Sequence, residues 1–259
     1  MDKRIGAQYF TIRKTVKTIE DFDVACQKVS EIGYKVVQIS GMPLKAKEMR
    51  EVLDKYNLQV VTTHKAYMDF IEDLDSVIDY NKTLGSSICG LGMMPKEYAE
   101  SNEKVSRMLK ALGRAAEELK KEGMVLGYHN HSIEFAPIDG KKTIFDRMVN
   151  ETDPETFQFI LDTFWLQVGG KTPQDVIRSL GKRAPIVHFK DFTIVPAEWK
   201  VPEMTEVGSG NLDWDAIVSA CEESGVQYCI VEQDRNHIED DAFKALASSY
   251  EFLKTKGFN

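Results

Sequence analysis

Short apolar runs recur along the chain, and segments of helical periodicity separate them. The runs lie at Ile5–Tyr9, Val36–Ile39, Leu58–Thr62, Ser87–Gly90, Met124–Tyr128, Phe157–Leu161, Ile186–His188 and Tyr228–Val231. Each is brief and rich in aliphatic or β-branched residues, as expected of a strand buried on both faces. Between them, Asp21–Ile32 carries Phe22, Val24, Ala25, Val29 and Ile32 at helical positions. Asn102–Glu122 places Val105, Met108, Leu109, Leu112, Ala116 and Leu119 on one stripe, and Asp241–Thr255 closes the chain in the same way. Gly33, Gly85, Gly123 and Gly225 each follow a helix-like run and lead into a strand, where glycine can take the left-handed conformation that ends a helix. A repeated strand–helix unit with no Pro/Gly/Ser-rich linker predicts one α/β domain over residues 1–259. The 259 residues suit a (β/α)₈ TIM barrel, which takes about 250.

Such a barrel gathers the C-terminal ends of its strands at one face, where active sites form. Four of the runs end in side chains that bind metals or move protons. Met124–Gly127 leads into Tyr128-His129-Asn130-His131-Ser132-Ile133-Glu134, and Phe157–Leu161 leads into Asp162. Ile186–Val187 leads into His188-Phe189-Lys190-Asp191, and Tyr228–Val231 leads into Glu232-Gln233-Asp234. Any one of Asp162, His188 or Glu232 could be a helix cap, a core histidine or an ion-pair partner. Together, on three successive strand ends, they form a set suited to Mn²⁺, Co²⁺, Zn²⁺ or Mg²⁺. His129 and His131 alternate on a strand and could share a face. His64 brings a further imidazole from the third strand, and Trp165 offers a ring on which a sugar could stack. Lys190–Asn211 is the longest stretch without clear periodicity and is expected over the mouth, with Trp199, Met204 and Glu206 in it. Gly208-Ser209-Gly210 before Asn211-Leu212-Asp213 could bind phosphate, or simply precede a helix capped by Asp213.

Composition narrows the classes. Hydrophobic residues make up 42% of the chain, enough for a core, and the net charge of −8 disfavours a polyphosphate partner. No apolar run approaches the roughly 18 residues of a membrane span, so no membrane partner is expected. Cys26, Cys89, Cys221 and Cys229 form no CxxC pair and read as buried reduced thiols. With no leader pattern before the first strand, this favours a cytoplasmic protein. A homo-oligomer remains open. Walker, GxGxxG and GxSxG motifs are missing, leaving phosphoryl transfer by a P-loop, dinucleotide binding and serine hydrolysis without support.

The motifs Tyr128-His129-Asn130-His131-Ser132-Ile133-Glu134-Phe135, Leu161-Asp162-Thr163-Phe164-Trp165, Val187-His188-Phe189-Lys190-Asp191, Glu206–Trp214 and Val231-Glu232-Gln233-Asp234 occur in one order along the chain. In this the chain resembles the sugar phosphate isomerase/epimerase superfamily, the xylose-isomerase-like barrels. The resemblance covers nearly the whole length. It implies one divalent metal ion held by a Glu, Asp, His, Glu set from four consecutive strands. Asp162, His188 and Glu232 match the last three, and Glu134 is the candidate for the first. Projecting into the same mouth, His131, Glu134 and His64 are the candidate proton-transferring groups, and His129, Asn130, Trp165, Lys190 and Glu206 the expected contacts to a carbohydrate. The expected activity is a metal-dependent isomerase or epimerase of a sugar or sugar phosphate, working through an enediolate. The alternatives are a lyase or dehydratase on a keto-sugar, inosose or 3-keto-glycoside, an endonuclease IV-like repair enzyme, and a non-catalytic ligand-binding barrel. Ketose 3-epimerases carry Glu in the fifth strand, where this chain has Tyr128 or His129, and His where it has Trp165. The Tyr-His-Asn-His run resembles the inosose dehydratases and 3-keto-glycoside lyases more closely.

Overall fold

The computed structural model describes residues 1–140, 142–196 and 203–259. Eight parallel strands close into a barrel in chain order: β1 (Gly6–Gln8), β2 (Val36–Ile39), β3 (Gln59–Lys65), β4 (Ile88–Leu91), β5 (Val125–His129), β6 (Phe157–Asp162), β7 (Ile186–Phe189) and β8 (Tyr228–Val231). All eight expected runs are strands. β3 extends three residues past the expected end and thereby takes in His64. Strand β8 returns to β1, with Gly6 opposite Ile230 and Ala7 opposite Val231.

The surrounding helices follow from local sequence. The helix Ile19–Ile32 starts at Thr18, whose side chain accepts from the Asp21 amide while Asp21 accepts from the Thr18 amide. These two bonds satisfy amides that a helix N-terminus would otherwise leave orphaned. The helix Trp214–Ser224 is capped by Asp213, as expected.

The main core lies between the barrel wall and the helices. A second, smaller core plugs the barrel itself, formed by Val36, Val61, Ile88, Ile160, Ile186 and Ile230, with Val125 packed against it. This plug sets the geometry of everything above it. Strand side chains alternate faces, so the residue two positions beyond a plug residue also points inward, one layer nearer the mouth. Val36 is thus followed by Gln38, Ile160 by Asp162, Ile186 by His188 and Ile230 by Glu232. Gly90 in β4 leaves room for this layer, since a Cβ there would lie 2.0 Å from the Thr63 carbonyl oxygen and 2.7 Å from the His64 ring.

The aperiodic stretch after β7 contains short pairing strands. Asp191–Thr193 pairs antiparallel with Glu203–Thr205, Phe192 opposite Met204. Three-residue strands are too brief for a period to register. Trp199 lies outside the described residues. Met204 is buried against Phe164 and Phe192.

Candidate active site

Four side chains from four successive strands converge above the plug. Potential ligand atoms of His129, Asp162, His188 and Glu232 lie within 4.8 Å of one another, and all four residues are buried. Two of them hold atoms that call for a further partner. Nδ1 of His129 has no hydrogen bond, and Oδ2 of Asp162 has none beside its ion pair with Lys190 at 3.4 Å. Buried polar atoms left this way are rare and costly, which fits a site built around a cation. Two carboxylates and two imidazoles suit a borderline divalent ion.

The cluster holds His129 at the place for which the resemblance offered Glu134. His129, not Glu134, stands beside Asp162, His188 and Glu232. Both oxygens of Glu134 are engaged elsewhere: Oε1 accepts from the Tyr128 hydroxyl at 2.7 Å and Oε2 from the His131 amide at 2.8 Å. Glu134 thus fixes the turn that carries His131. The alternation Val125, Gly127, His129 along β5 was the available signal, because it places His129 on the plug side.

Asp162, His188 and Glu232 are braced by hydrogen bonds. His188 Nδ1 lies 2.8 Å from Glu232 Oε2, and Nε2 lies 2.7 Å from Gln38 Oε1. Asn130 Oδ1 accepts from the Asp162 amide at 3.0 Å, and Asp162 Oδ1 caps the next helix through the Trp165 amide at 2.9 Å. Gln38 was missed in the sequence, although its place two residues after Val36 marks it as inward-facing.

Lys190 is the cation already present. Its ammonium lies 3.4 Å from Asp162, 3.3 Å from Glu232 and 2.8 Å from Asp234. Burial opposes its charge, but these three carboxylates outweigh burial and hold it protonated. Burial raises Asp162 to about 6 against the pull of Lys190. Burial also acts to raise Glu232, but Lys190 and His188 overcome it and hold the carboxyl well below its usual range.

Four of the five histidines of the chain crowd together here. The His129 ring is 4.9 Å from His64, 4.8 Å from His131 and 4.6 Å from His188. Burial, reinforced by the neighbouring rings, pushes His129 well below its ordinary value. Burial lowers His64 to about 3 with help from His188, and His131 to about 4 with help from Lys190. His64, His129 and His131 are thus neutral at ordinary pH, the form that ligates metals and accepts protons. His64 Nε2 and His131 Nδ1 have no hydrogen-bond partner.

The cavity above these groups measures about 320 Å³. His64, His129, His131, Lys190, Glu232 and Asp234 form its polar floor, and Phe10, Tyr67 and Met93 its apolar wall. Asn130, Trp165 and Glu206 stand behind this lining. Trp165 packs its ring 5.2 Å from that of His131. Glu206 accepts from the Ile238 amide at 2.8 Å and from Gln233 at 3.3 Å, tying the loops after β7 and β8 together. Among the described residues no helix is long and apolar enough to cross a membrane.

Residues 26–256 match the family model described as xylose isomerase-like TIM barrel. An inosose dehydratase from Lacticaseibacillus casei is 21% identical over 266 aligned positions, covering 90% of this chain and 88% of the relative. A sugar phosphate isomerase/epimerase from Parabacteroides distasonis superposes with a TM-score of 0.82 at 21% identity, covering 98% of this chain and 94% of that one. A probable 3-DHS dehydratase involved in petrobactin synthesis, from Bacillus anthracis, gives 0.75 at 14% identity, covering 98% and 97%. At these identities the two structures establish likeness of fold.

Proposed function

This chain belongs to the xylose isomerase-like TIM barrel family, and from that premise we propose that it is a dehydratase acting on a polyhydroxylated ketone. The observation that carries the reading is the pairing of an unbonded, neutral His131 Nδ1 with the four-donor cluster of His129, Asp162, His188 and Glu232. Those four residues would hold a divalent cation, which when bound supplies Lewis-acid polarisation of a carbonyl.

The chain's own groups divide the remaining work. His131 takes the proton from the carbon next to the ketone, and the C–H electron pair moves into the new carbon–carbon double bond of an enolate. When the carbonyl re-forms, that pair expels the β-hydroxyl, which leaves as water with the proton that His131 carried. One group can thus serve as base and then as acid. Lys190, held by Asp162, Glu232 and Asp234, keeps these carboxylates charged beside the cavity. Glu134 holds His131 through its amide, and Gln38 holds His188 through its ring. The dehydratase name of the L. casei relative favours elimination as the second half of the reaction.

The test is incubation of Mn²⁺-loaded protein with scyllo-inosose in deuterated water. Loss of one water from the ketone, with deuterium incorporated in any ketone that returns, is the expected result. Deuterium uptake without water loss would move the assignment to the second reading, an isomerase or epimerase that shares the first proton transfer. The absence of both water loss and deuterium uptake would overturn ketone chemistry on this compound.

A further inference from the structure

We propose that the substrate carries no phosphate, because Asp191 of the protein fills the position where this fold would bind one. The inference rests on the ketone reading above and specifies the charge of its substrate: a neutral polyhydroxylated ketone.

In (β/α)₈ barrels a phosphate site is frequently built from the loops after strands seven and eight, using backbone amides and a helix N-terminus. The glycine-rich run Gly208-Ser209-Gly210, ahead of the helix Trp214–Ser224, is that element here. Its amides are already engaged. Asp191 Oδ2 accepts from the Gly208 amide at 2.9 Å, the Gly210 amide at 3.2 Å and Trp214 Nε1 at 2.7 Å. Asp191 Oδ1 accepts from the Phe192 amide at 2.8 Å and the Leu212 amide at 3.3 Å. The Ser209 amide donates to the Glu206 carbonyl at 2.9 Å. A buried carboxylate with five donors is an anion already seated in an anion cradle. The fit is tight, since a Cβ on Gly210 would lie 2.5 Å from Asp191 Oδ1.

The cavity's own charge points the same way. Among the described residues lining it, Lys65 and Lys190 are the cations. Lys190 is held by three carboxylates, and the Lys65 ammonium lies over the Tyr80 ring at 3.8 Å, which is not part of the lining. Nearby Arg13 stacks on Phe10 at 3.8 Å and donates to the carbonyls of Phe10 and Asp234. Asp162, Glu232 and Asp234 against Lys190 leave a local charge of −2, which a divalent cation would bring to zero. Among the described lining residues, a phosphate dianion entering this cavity would find only the Lys65 charge outside that balance, and would have to take Lys190 from its carboxylates. Desolvating it without a partner is costly. The wall of Phe10, Tyr67 and Met93 offers instead an apolar surface to the C–H face of a sugar or cyclitol ring.

Calorimetric titration of the Mn²⁺-loaded protein decides the question, with scyllo-inosose, D-allulose and D-allulose 6-phosphate as probes and inorganic phosphate as competitor. At least one neutral ketone should bind at least about tenfold more tightly than the phosphate ester. Inorganic phosphate should leave that affinity unchanged. Equal or tighter binding of the ester, or displacement of the ketone by inorganic phosphate, would overturn the inference while leaving the ketone reading intact. Binding of none of the probes would overturn the ketone reading and this inference with it. Asp191→Gly empties the cradle, and a soluble, folded variant should acquire inorganic phosphate binding that the parent lacks. If the variant does not fold, the parent titration alone decides.

Discussion

Nε2 of His188 lies 2.7 Å from Oε1 of Gln38, so a residue of β2 sets the orientation of an imidazole on β7. Metal-binding histidines usually give their second ring N–H to an oxygen acceptor, which fixes the tautomer. Here that acceptor is an uncharged amide. Replacing Gln38 by Leu should weaken Mn²⁺ binding about 10- to 100-fold, the usual cost of losing such a partner. Gln38→Glu retains an acceptor and should bind closer to the parent. Isothermal titration of the folded variants checks this, and equal affinities for Leu and Gln would remove Gln38 from the site.

Metal content provides the broader test of the four donors. Asp162→Ala and His129→Ala should both lose stoichiometric metal, because each removes a donor atom that has no other hydrogen-bond partner. Glu134→Gln should keep its metal, since both Glu134 oxygens are engaged by Tyr128 and His131. Elemental analysis after gel filtration distinguishes these outcomes. Loss of metal from Glu134→Gln, with retention in His129→Ala, would restore Glu134 as the donor.

Turnover should respond to strand five in a different order. His131→Ala is expected to cost at least about 10²-fold in kcat, the scale of general acid–base catalysis, with metal retained. Glu134→Gln should lower kcat by displacing the His131 turn. Solvent deuterium exchange into the ketone should fall in parallel. Wild-type exchange in His131→Ala would transfer the base to His64, whose Nε2 is also without a partner.

Stability should depend on pH through the same rings. His64 and His131 are lowered from 6.5 to about 3 and about 4, and His129 further still, all chiefly by burial. Below about pH 6.5 the unfolded chain then binds protons that the folded chain does not, so stability falls as pH drops. The depressed Glu232 acts in the same direction, whereas the raised Asp162 and Glu134 act against it. Urea unfolding of chelator-treated protein should show a lower midpoint at about pH 5 than at about pH 7, with a smaller difference in His131→Ala. A pH-independent midpoint would contradict buried neutral rings.

Asp191 should matter to stability more than its place outside the cavity suggests. Asp191→Ala leaves five donors without their acceptor, and each buried unsatisfied group costs about 1–3 kcal/mol. A loss of at least about 3 kcal/mol is expected even if water rescues some of them. Gly210→Ala should be similarly damaging, because its Cβ would sit 2.1 Å from the Phe192 carbonyl oxygen. Chemical denaturation measures both.

The chain by itself determined the barrel. Its eight buried runs, helical stripes and pre-strand glycines are local signals, readable because a strand covered on both faces must be apolar and a helix on a barrel needs one apolar stripe. Asp162, His188 and Glu232 were legible for the same reason, since polar residues closing apolar runs stand out. Which side chains meet was decided only by tertiary structure. His129 rather than Glu134 stands beside Asp162, His188 and Glu232 because alternation from the Val125 layer turns it inward, while the turn after Asn130 curls Glu134 back to Tyr128. Gln38 is 150 positions from His188 and becomes its partner only when the barrel closes. Gly208-Ser209-Gly210 could have served a phosphate or a helix start, and the choice fell to Asp191, whose carboxylate reaches those amides only after β7 and the following loop have packed. Closure of the barrel brings distant residues within a few ångströms, and sequence spacing holds no measure of that distance.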